Sequence, residues 1–371
     1  MGLFLLSFVF VYSLIHAFFY SRIRVLLPEN WTFHVLVIFF LLLMVFAPIG
    51  TRLLERSDQY SLAKIAAPIG YGWMGFVFYS FWCFLLVGLV GFCFKVVNLV
   101  SGSSLPLFLD RKTTVAVLAV ALLINIYGFF EAGNIRTERI TIRSAKLPAP
   151  LDRIRIAQVS DIHLGLLVGV GRLETILEKV RVENPDILVS TGDLADGDID
   201  RIAGIASAFD KIRCRYGKFA VTGNHEVFAG LERSIRAEED LGFEVLRGRV
   251  VNVEGVVNIA GVDDPMTGEQ TDEASVLAAK GNDLFTILLK HRPEVLPGSL
   301  GLFDLQLSGH THYGQLFPFR YFVQMVYPLQ NGPYYLEKGS IEYTSRGSGT
   351  WGPPIRVLAP PEITIIDIIR E

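Results

Sequence analysis

Four apolar runs crowd the first third of this chain and leave it few ways to fold. They cover about Gly2–Tyr20, Trp31–Gly50, Tyr71–Phe94 and Thr113–Phe130, with charges confined to the gaps. Each reaches the ~18 residues that a helix needs to cross a bilayer. Tyr20, Trp31, Tyr71 and Tyr127 stand near the ends, where amphipathic rings settle at the interface. A single run of this kind is often a buried core helix. Four of them, almost free of internal charge, predict a membrane domain of four helices over residues 1–132. The first run does not read as a cleaved leader: no Lys or Arg precedes it, no small-residue cleavage site follows, and three more runs come after.

Four spans place both chain ends on one side. With the N-terminus cytoplasmic, the inner loops hold Arg52, Arg56, Lys64, Arg136, Arg139, Arg143 and Lys146. The outer loops then hold Arg22, Arg24, Lys95, Arg111 and Lys112. Positive-inside counting favours this choice by a narrow margin, so the remainder of the chain is expected in the cytoplasm. The three cysteines, Cys83, Cys93 and Cys214, have neither zinc-site spacing nor the look of a disulfide framework, which agrees with a reducing compartment. The spans lack the internal polar line of a conduction path. Net charge is -3, and no nucleic-acid partner is indicated.

From about residue 135 the sequence changes character, and residues 133–371 read as one soluble α/β domain. Arg139–Arg143 alternates like an exposed edge strand. Apolar, β-branched runs then stop at polar phrases: Ile154–Ser160 at Asp161, Ile187–Thr191 at Gly192-Asp193, and Phe219–Thr222 at Gly223-Asn224. Leu284–Leu289 stops at Lys290-His291, and Leu305–Ser308 at Gly309-His310. Helical patterns cover about Arg172–Glu183, Ile199–Ile212 and Leu231–Leu241, and further strands are expected near Ser340–Thr344 and Ile363–Ile369. Alternating strands and helices imply a largely parallel sheet, whose ligands bind beyond the carboxyl ends of the strands. Two sheets flanked by helices are the natural architecture.

The polar phrases carry metal chemistry. Five of the seven histidines fall in them, beside two Asp and one Asn. Asp161 and His163 are two apart, so on a continuing strand both would face one cation. Asp193, after a glycine, can bridge two cations through its two oxygens. Asn224 offers a neutral oxygen, His291 adds a nitrogen, and His310 and His312 can reach neighbouring ions. Mixed nitrogen and oxygen ligation without thiolate suits Mn, Fe or Zn. Paired ions of this kind activate water and neutralise phosphoryl oxygens. His225 could give a proton to a leaving oxygen. His16 and His34, inside apolar runs, read as packed or interfacial side chains.

The series Asp161-x-His163, Gly192-Asp193, Gly223-Asn224-His225-Glu226, His291 and Gly309-His310-x-His312 resembles the calcineurin-like metallophosphoesterase superfamily over nearly the whole soluble domain. Gly192–Asp196, Ala260–Pro265, Ser345-Arg346-Gly347 and Pro353–Arg356 resemble its bacterial membrane-associated branch, which includes UDP-2,3-diacylglucosamine pyrophosphatases. The four-span start resembles transmembrane proteins with a metallophosphoesterase domain. The resemblance implies a four-layered αββα sandwich and a bacterial inner-membrane location. It implies a first metal held by Asp161, His163, Asp193 and His312. Asp193 would bridge to a second metal, completed by Asn224, His291 and His310, with His225 assisting the leaving group. The implied reaction is hydrolysis of a phosphodiester or pyrophosphate by a hydroxide shared between two divalent ions, Mn favoured, in a substrate such as a UDP-diacylglucosamine-like lipid. The partners expected are the bilayer and that phosphorylated, lipid-linked substrate. The competing reading is a membrane sensor or scaffold that binds a phosphorylated ligand without turnover. Tyr313 replaces a glycine common in relatives; it either shapes the pocket or packs on the following loop. The apolar segment Leu316–Pro328 is expected to be a membrane-touching cap or an edge strand pair.

Overall fold

The computed structural model describes residues 2–57, 59–102, 110–197, 205–269 and 271–371. They form two compact units, residues 1–130 with 352–355, and residues 131–351 with 356–371.

The first unit is built on α1 (Gly2–Ile23), α2 (Trp31–Arg56), α3 (Tyr60–Ser101) and α4 (Arg111–Gly133), the last of which runs into the second unit. All four are long and apolar enough to cross a membrane. Phe19, Leu41, Phe84 and Val117 meet at their centre. At 42 residues α3 far exceeds the predicted run, because Tyr60–Gly70 is rich in Ala, Leu and Ile and extends the helix before Tyr71. The two histidines here serve packing. His16 Nδ1 lies 2.8 Å from the Tyr12 carbonyl, and its Nε2 accepts from Trp73 Nε1 at 3.0 Å. His34 pairs with the Tyr20 hydroxyl at 2.8 Å.

The second unit holds two six-stranded sheets. The first comprises β1 (Arg136–Ser144), β2 (Arg153–Val159), β3 (Ile187–Ser190), β4 (Lys218–Ala220), β5 (Glu244–Val245) and β12 (Glu362–Arg370), in the order β1-β12-β2-β3-β4-β5. The second comprises β6 (Arg249–Val253), β7 (Val257–Gly261), β8 (Thr286–Leu289), β9 (Leu305–Ser308), β10 (Gly332–Tyr335) and β11 (Ile341–Thr344), in the order β10-β11-β9-β8-β7-β6. Pairing is parallel except for β12 with β2, β10 with β11 and β6 with β7. β1 lies at an edge, as its alternation predicts.

The period of two along each strand sorts side chains between layers. Ile154, Ile156, Ile187 and Val189 face Ile259, Ile287, Leu289, Leu305 and Leu307 between the sheets. Their neighbours Ala157, Val159 and Leu188 face outward, under Leu173, Ile176, Leu177 and Val180 of α5 (Val170–Glu183). The same outer layer holds α6 (Ala206–Phe209), α7 (Asn224–Ala229) and α8 (Leu231–Asp240). On the far side, Leu277 of α9 (Glu273–Ala278) covers Ala260 and Leu288. The result is the four-layered αββα sandwich. Each fully buried Ile or Leu contributes about 2 kcal/mol.

Three expectations change. Of the predicted helix Ile199–Ile212, only Ala206–Phe209 is helical, and residues 199–204 lie outside the described residues. The segment 316–328 forms no strand pair; α10 (Arg320–Val326) occupies it. β5, only two residues long, and β6, β7 and β10 carry no strand expectation. Asn252, Asn258 and the glycines at 255, 261 and 332 interrupt the apolar alternation that would mark the last three.

Candidate metal centre

Each polar phrase begins where a strand ends. β2, β3 and β4 are adjacent and parallel, and so are β8 and β9. Their carboxyl ends therefore open onto one edge of the sandwich, where Asp161, His163, Asp193, Asn224, His225, His291, His310 and His312 follow.

Seven of these side chains, all but Asn224, converge in three overlapping groups. Donor atoms of Asp161, His163 and His312 lie within 4.8 Å of one another, and the same holds for His163, Asp193 and His225, and for Asp193, His291 and His310. Asp193 Oδ2 stands 3.2 Å from His291 Nε2 and 3.9 Å from His163 Nε2, so one carboxylate faces both ends of the cluster. Facing ring nitrogens are close: 3.0 Å between His163 and His312, and 3.1 Å between His310 and His291. Asn224 Oδ1 is buried without a hydrogen-bond partner, as is His163 Nδ1.

The backbone that brings them together is not extended. Asp161, His163, Asp193, His310 and His312 all have positive φ, between 48° and 70°. β2 stops at Val159, so the two-residue spacing of Asp161 and His163 works through a left-handed turn and not through a continued strand. Left-handed conformations in five non-glycine residues are costly and persist only where surroundings enforce them. Here the enforcing contacts are backbone bonds between loops, such as Asp161 N–H to the Gly192 carbonyl (3.0 Å) and His163 N–H to the Asp193 carbonyl (3.0 Å). Gly192, at φ 91°, leaves no room for a side chain: a Cβ would sit 2.7 Å from both the Gly223 nitrogen and His291 Nδ1.

Four supporting residues have no role in the sequence reading. Glu226 is fully buried and accepts from the backbone N–H groups of Asp193 (2.9 Å), Leu194 (2.9 Å) and Gly223 (2.7 Å), tying two loops together. An acidic residue at the third helical position is its local signal. The Thr191 carbonyl lies 2.7 Å from His291 Nδ1, which holds a proton there and leaves Nε2 facing the cluster. Asp196 Oδ1 lies 2.8 Å from His225 Nδ1. Arg356, fully buried, donates to the Gly349 carbonyl (2.7 Å) and packs its Nη2 3.0 Å from His312 Nδ1. Asp196 and Arg356 stand in phrases that carry the resemblance, but their partners lie 29 and 44 positions away, so the contacts themselves leave no local pattern.

Charge is sharply divided within the cluster. Burial drives His163 and His310 down to about 3 and His312 well below the ordinary histidine range, so these rings are neutral donors. Burial opposes charge on His291 and His225 too, but Asp193 outweighs it and lifts them to about 10 and about 9. Burial raises Asp161 to about 6. Asp193 stays well below the carboxylate range, because His291 and His225 overcome its burial.

The donor set fits two divalent cations. It offers nitrogen and oxygen only, one carboxylate is common to two of the three groups, and a buried amide oxygen lacks any partner. A model of the calcineurin-like phosphoesterase family matches residues 154–314. A metallophosphoesterase of Aquifex aeolicus is 38% identical over 256 residues, covering 67% of this chain and 97% of that protein. The chain belongs to the calcineurin-like phosphoesterase family. A Campylobacter jejuni metallophosphoesterase is 30% identical to this phosphoesterase, covering 89% of the chain and 88% of the relative. A Danio rerio transmembrane protein with a metallophosphoesterase domain is 32% identical, covering 69% of the chain and 62% of that protein. The phosphoesterase is accordingly a metal-dependent hydrolase and, with its four long apolar helices, a membrane protein.

Tyr313 packs on the following segment. Its hydroxyl accepts from Arg320 Nη1 at 3.3 Å, and the Arg320 guanidinium lies 5.5 Å from its ring centroid. Together they line a pocket of about 270 Å³ with Tyr321, Gln324, Gln330 and Asn331.

Proposed function

We propose that this phosphoesterase cleaves a phosphodiester or pyrophosphate bond in a lipid-linked substrate, of which a UDP-diacylglucosamine-like molecule is one example. The observation that carries the hydrolytic reading is the convergence of donors from five strand ends on one shared carboxylate, Asp193. Asp161, His163, Asp193 and His312 would hold one cation, and Asp193, Asn224, His291 and His310 the other, with manganese the favoured ion. Bound divalent ions supply an activated water and neutralise charge on phosphoryl oxygens.

The chain's own groups do the rest. Asp193 and Asp196 favour the charged form of His225 against the opposition of its burial. Its Nδ1 is tied to Asp196, which leaves Nε2 to protonate the departing oxygen. Asp193 accepts the His225 backbone N–H at 2.8 Å, which ties the proton donor to the shared ligand.

Two features support the lipid-linked part. Attachment to four apolar helices confines the domain near lipid and raises its effective concentration toward lipid-borne substrates. Phe319, Tyr321, Phe322, Met325 and Val326, in and beside α10, are all exposed. An exposed apolar patch of this kind marks an interaction surface. The proposed setting is the bacterial inner membrane, with the domain on the cytoplasmic side.

The test uses full-length protein in nanodiscs, stripped with chelator and reloaded with each divalent ion in turn. Bis-p-nitrophenyl phosphate and a panel of lipid-linked and soluble pyrophosphates are the substrates. Turnover should require added ion, favour lipid-linked members and vanish in Asp193→Asn. Ion binding without turnover of any substrate would overturn the hydrolytic reading, and equal rates on soluble substrates would remove the lipid part. Protease accessibility in sealed vesicles tests sidedness.

A further inference from the structure

Trp351 is the sole tryptophan outside the four long helices; the others are Trp31, Trp73 and Trp82. The residue is 48% exposed, yet its backbone is held at both polar atoms. The N–H donates to Gln315 Oε1 at 3.0 Å, and the carbonyl accepts from Gln315 Nε2 at 2.8 Å. Gln315 lies three residues beyond His312, so the clamp ties Trp351 to the metal-centre loop.

The indole stands against a site residue. Its ring centroid lies 5.9 Å from that of His225, with the planes at 77°. Phe228, one turn beyond His225 on α7, is 44% exposed and meets the same imidazole at 5.5 Å and 78°. Neither ring joins the apolar clusters of the sandwich. Two half-exposed aromatic rings therefore abut one buried imidazole at the edge of the metal centre.

We propose that Trp351 and Phe228 bind the leaving group of the substrate, and that this group carries a planar aromatic ring. The proposal rests on the hydrolytic reading of the cluster, at whose edge both rings stand against His225, so that a group departing on that side meets them. A flat ring there can stack on or meet the edge of the indole, a preference that burial of an aliphatic group does not provide. Such aromatic pairing corresponds to roughly a threefold to tenfold gain in affinity over a saturated ring of similar size.

Benzylphosphonate and cyclohexylmethylphosphonate are non-hydrolysable probes of matched bulk. Calorimetric titration into full-length, manganese-loaded protein should show benzylphosphonate binding about threefold to tenfold tighter. It should also quench tryptophan fluorescence in the wild type more than in Trp351→Phe. The affinity gap should survive in Trp351→Phe and close in Trp351→Leu, with Phe228→Leu as a second variant that narrows it. Equal affinities, no binding of either probe, or a gap untouched by Trp351→Leu and Phe228→Leu would overturn the proposal. Hydrolysis of bis-p-nitrophenyl phosphate separates the two readings. Turnover with no gap removes the aromatic site alone, whereas a gap without turnover keeps that site and removes the reaction.

Discussion

Glu226 Oε2 accepts the backbone N–H of Asp193 at 2.9 Å, so the shared carboxylate of the metal centre is positioned by a second carboxylate that never faces a cation group. Its other partners are the N–H groups of Leu194 and Gly223. Glu226→Ala strands these buried donors. Each unsatisfied group costs about 1–3 kcal/mol. We expect a clear fall in thermal midpoint and a manganese affinity reduced about 10–100-fold, the usual effect of losing a residue that orients a ligand. Calorimetric manganese titration beside a melting curve checks both; unchanged affinity would show that the Asp193 loop holds its shape alone.

Asp193→Asn acts more directly. It keeps the volume and removes the charge that faces both groups of donors. Activity should fall by more than ~100-fold, and the ion content measured by mass spectrometry should drop toward one or none. Asn224→Ala should lose one ion and leave the other in place.

His225 and Asp196 should act as a unit. His225→Gln is expected to lower kcat about 10²–10⁴-fold on alkyl esters. The loss should shrink for nitrophenyl esters, whose departing oxygen needs no proton. Asp196→Asn should show the same leaving-group pattern with a smaller loss, and its basic pH limb should move down, because Asp196 helps hold His225 up at about 9. Rates across a series of leaving groups decide this; a uniform loss would assign His225 to binding.

Away from the site, Arg155 forms a two-pronged bridge to Asp367, with both bonds at 2.8 Å, across the β2–β12 pairing. The bonds from Arg155 hold the Asp367 carboxyl below its ordinary range. A depressed folded value means the stabilisation is complete above the unfolded value, about 4, and is lost as pH falls through the folded one. Asp367→Asn should therefore cost about 1 kcal/mol near neutrality and flatten the decline of Tm below about pH 4. Melting curves at pH 7 and pH 3.5 test the sign.

The exposed face of α10 gives a further expectation. Phe319, Phe322 and Met325 replaced together by serine should lower the rate on a lipid-borne substrate several-fold and leave a soluble ester unaffected. Met325, at 82% exposure, buries little surface whose loss could disturb the fold. Equal loss on both substrates would point to structural damage.

Much of the fold and the site is legible in the sequence, because the site is written in short phrases at the ends of apolar runs. Asp161, His163, Asp193, Asn224, His225, His291, His310 and His312 are all readable in that way, since a β-branched run that stops at a polar residue marks the carboxyl end of a strand, where ligands bind. Long-range partners are not readable. Arg356 reaches His312 over 44 positions and Asp196 reaches His225 over 29; both end phrases that carry the resemblance, yet nothing local announces which histidine each one meets. α10 escapes because Arg320–Val326 is apolar nearly all round, a pattern that suits an edge strand as well as a short helix. The backbone of the candidate ligand residues escapes too. A spacing of two suits a continued strand and a left-handed turn alike, and the φ values of Asp161 and His163 show that the turn is the one used.

That last feature limits how the loops can change. Asp161, His163, Asp193, His310 and His312 hold their side chains on a peptide track that bulky or branched residues resist, and each bend is pinned by its neighbour. A one-residue insertion in any of these turns would swing its imidazole or carboxyl away from the shared focus. Variation in substrate choice must therefore accumulate in the surrounding rim, while the knuckled centre tolerates almost no change of length.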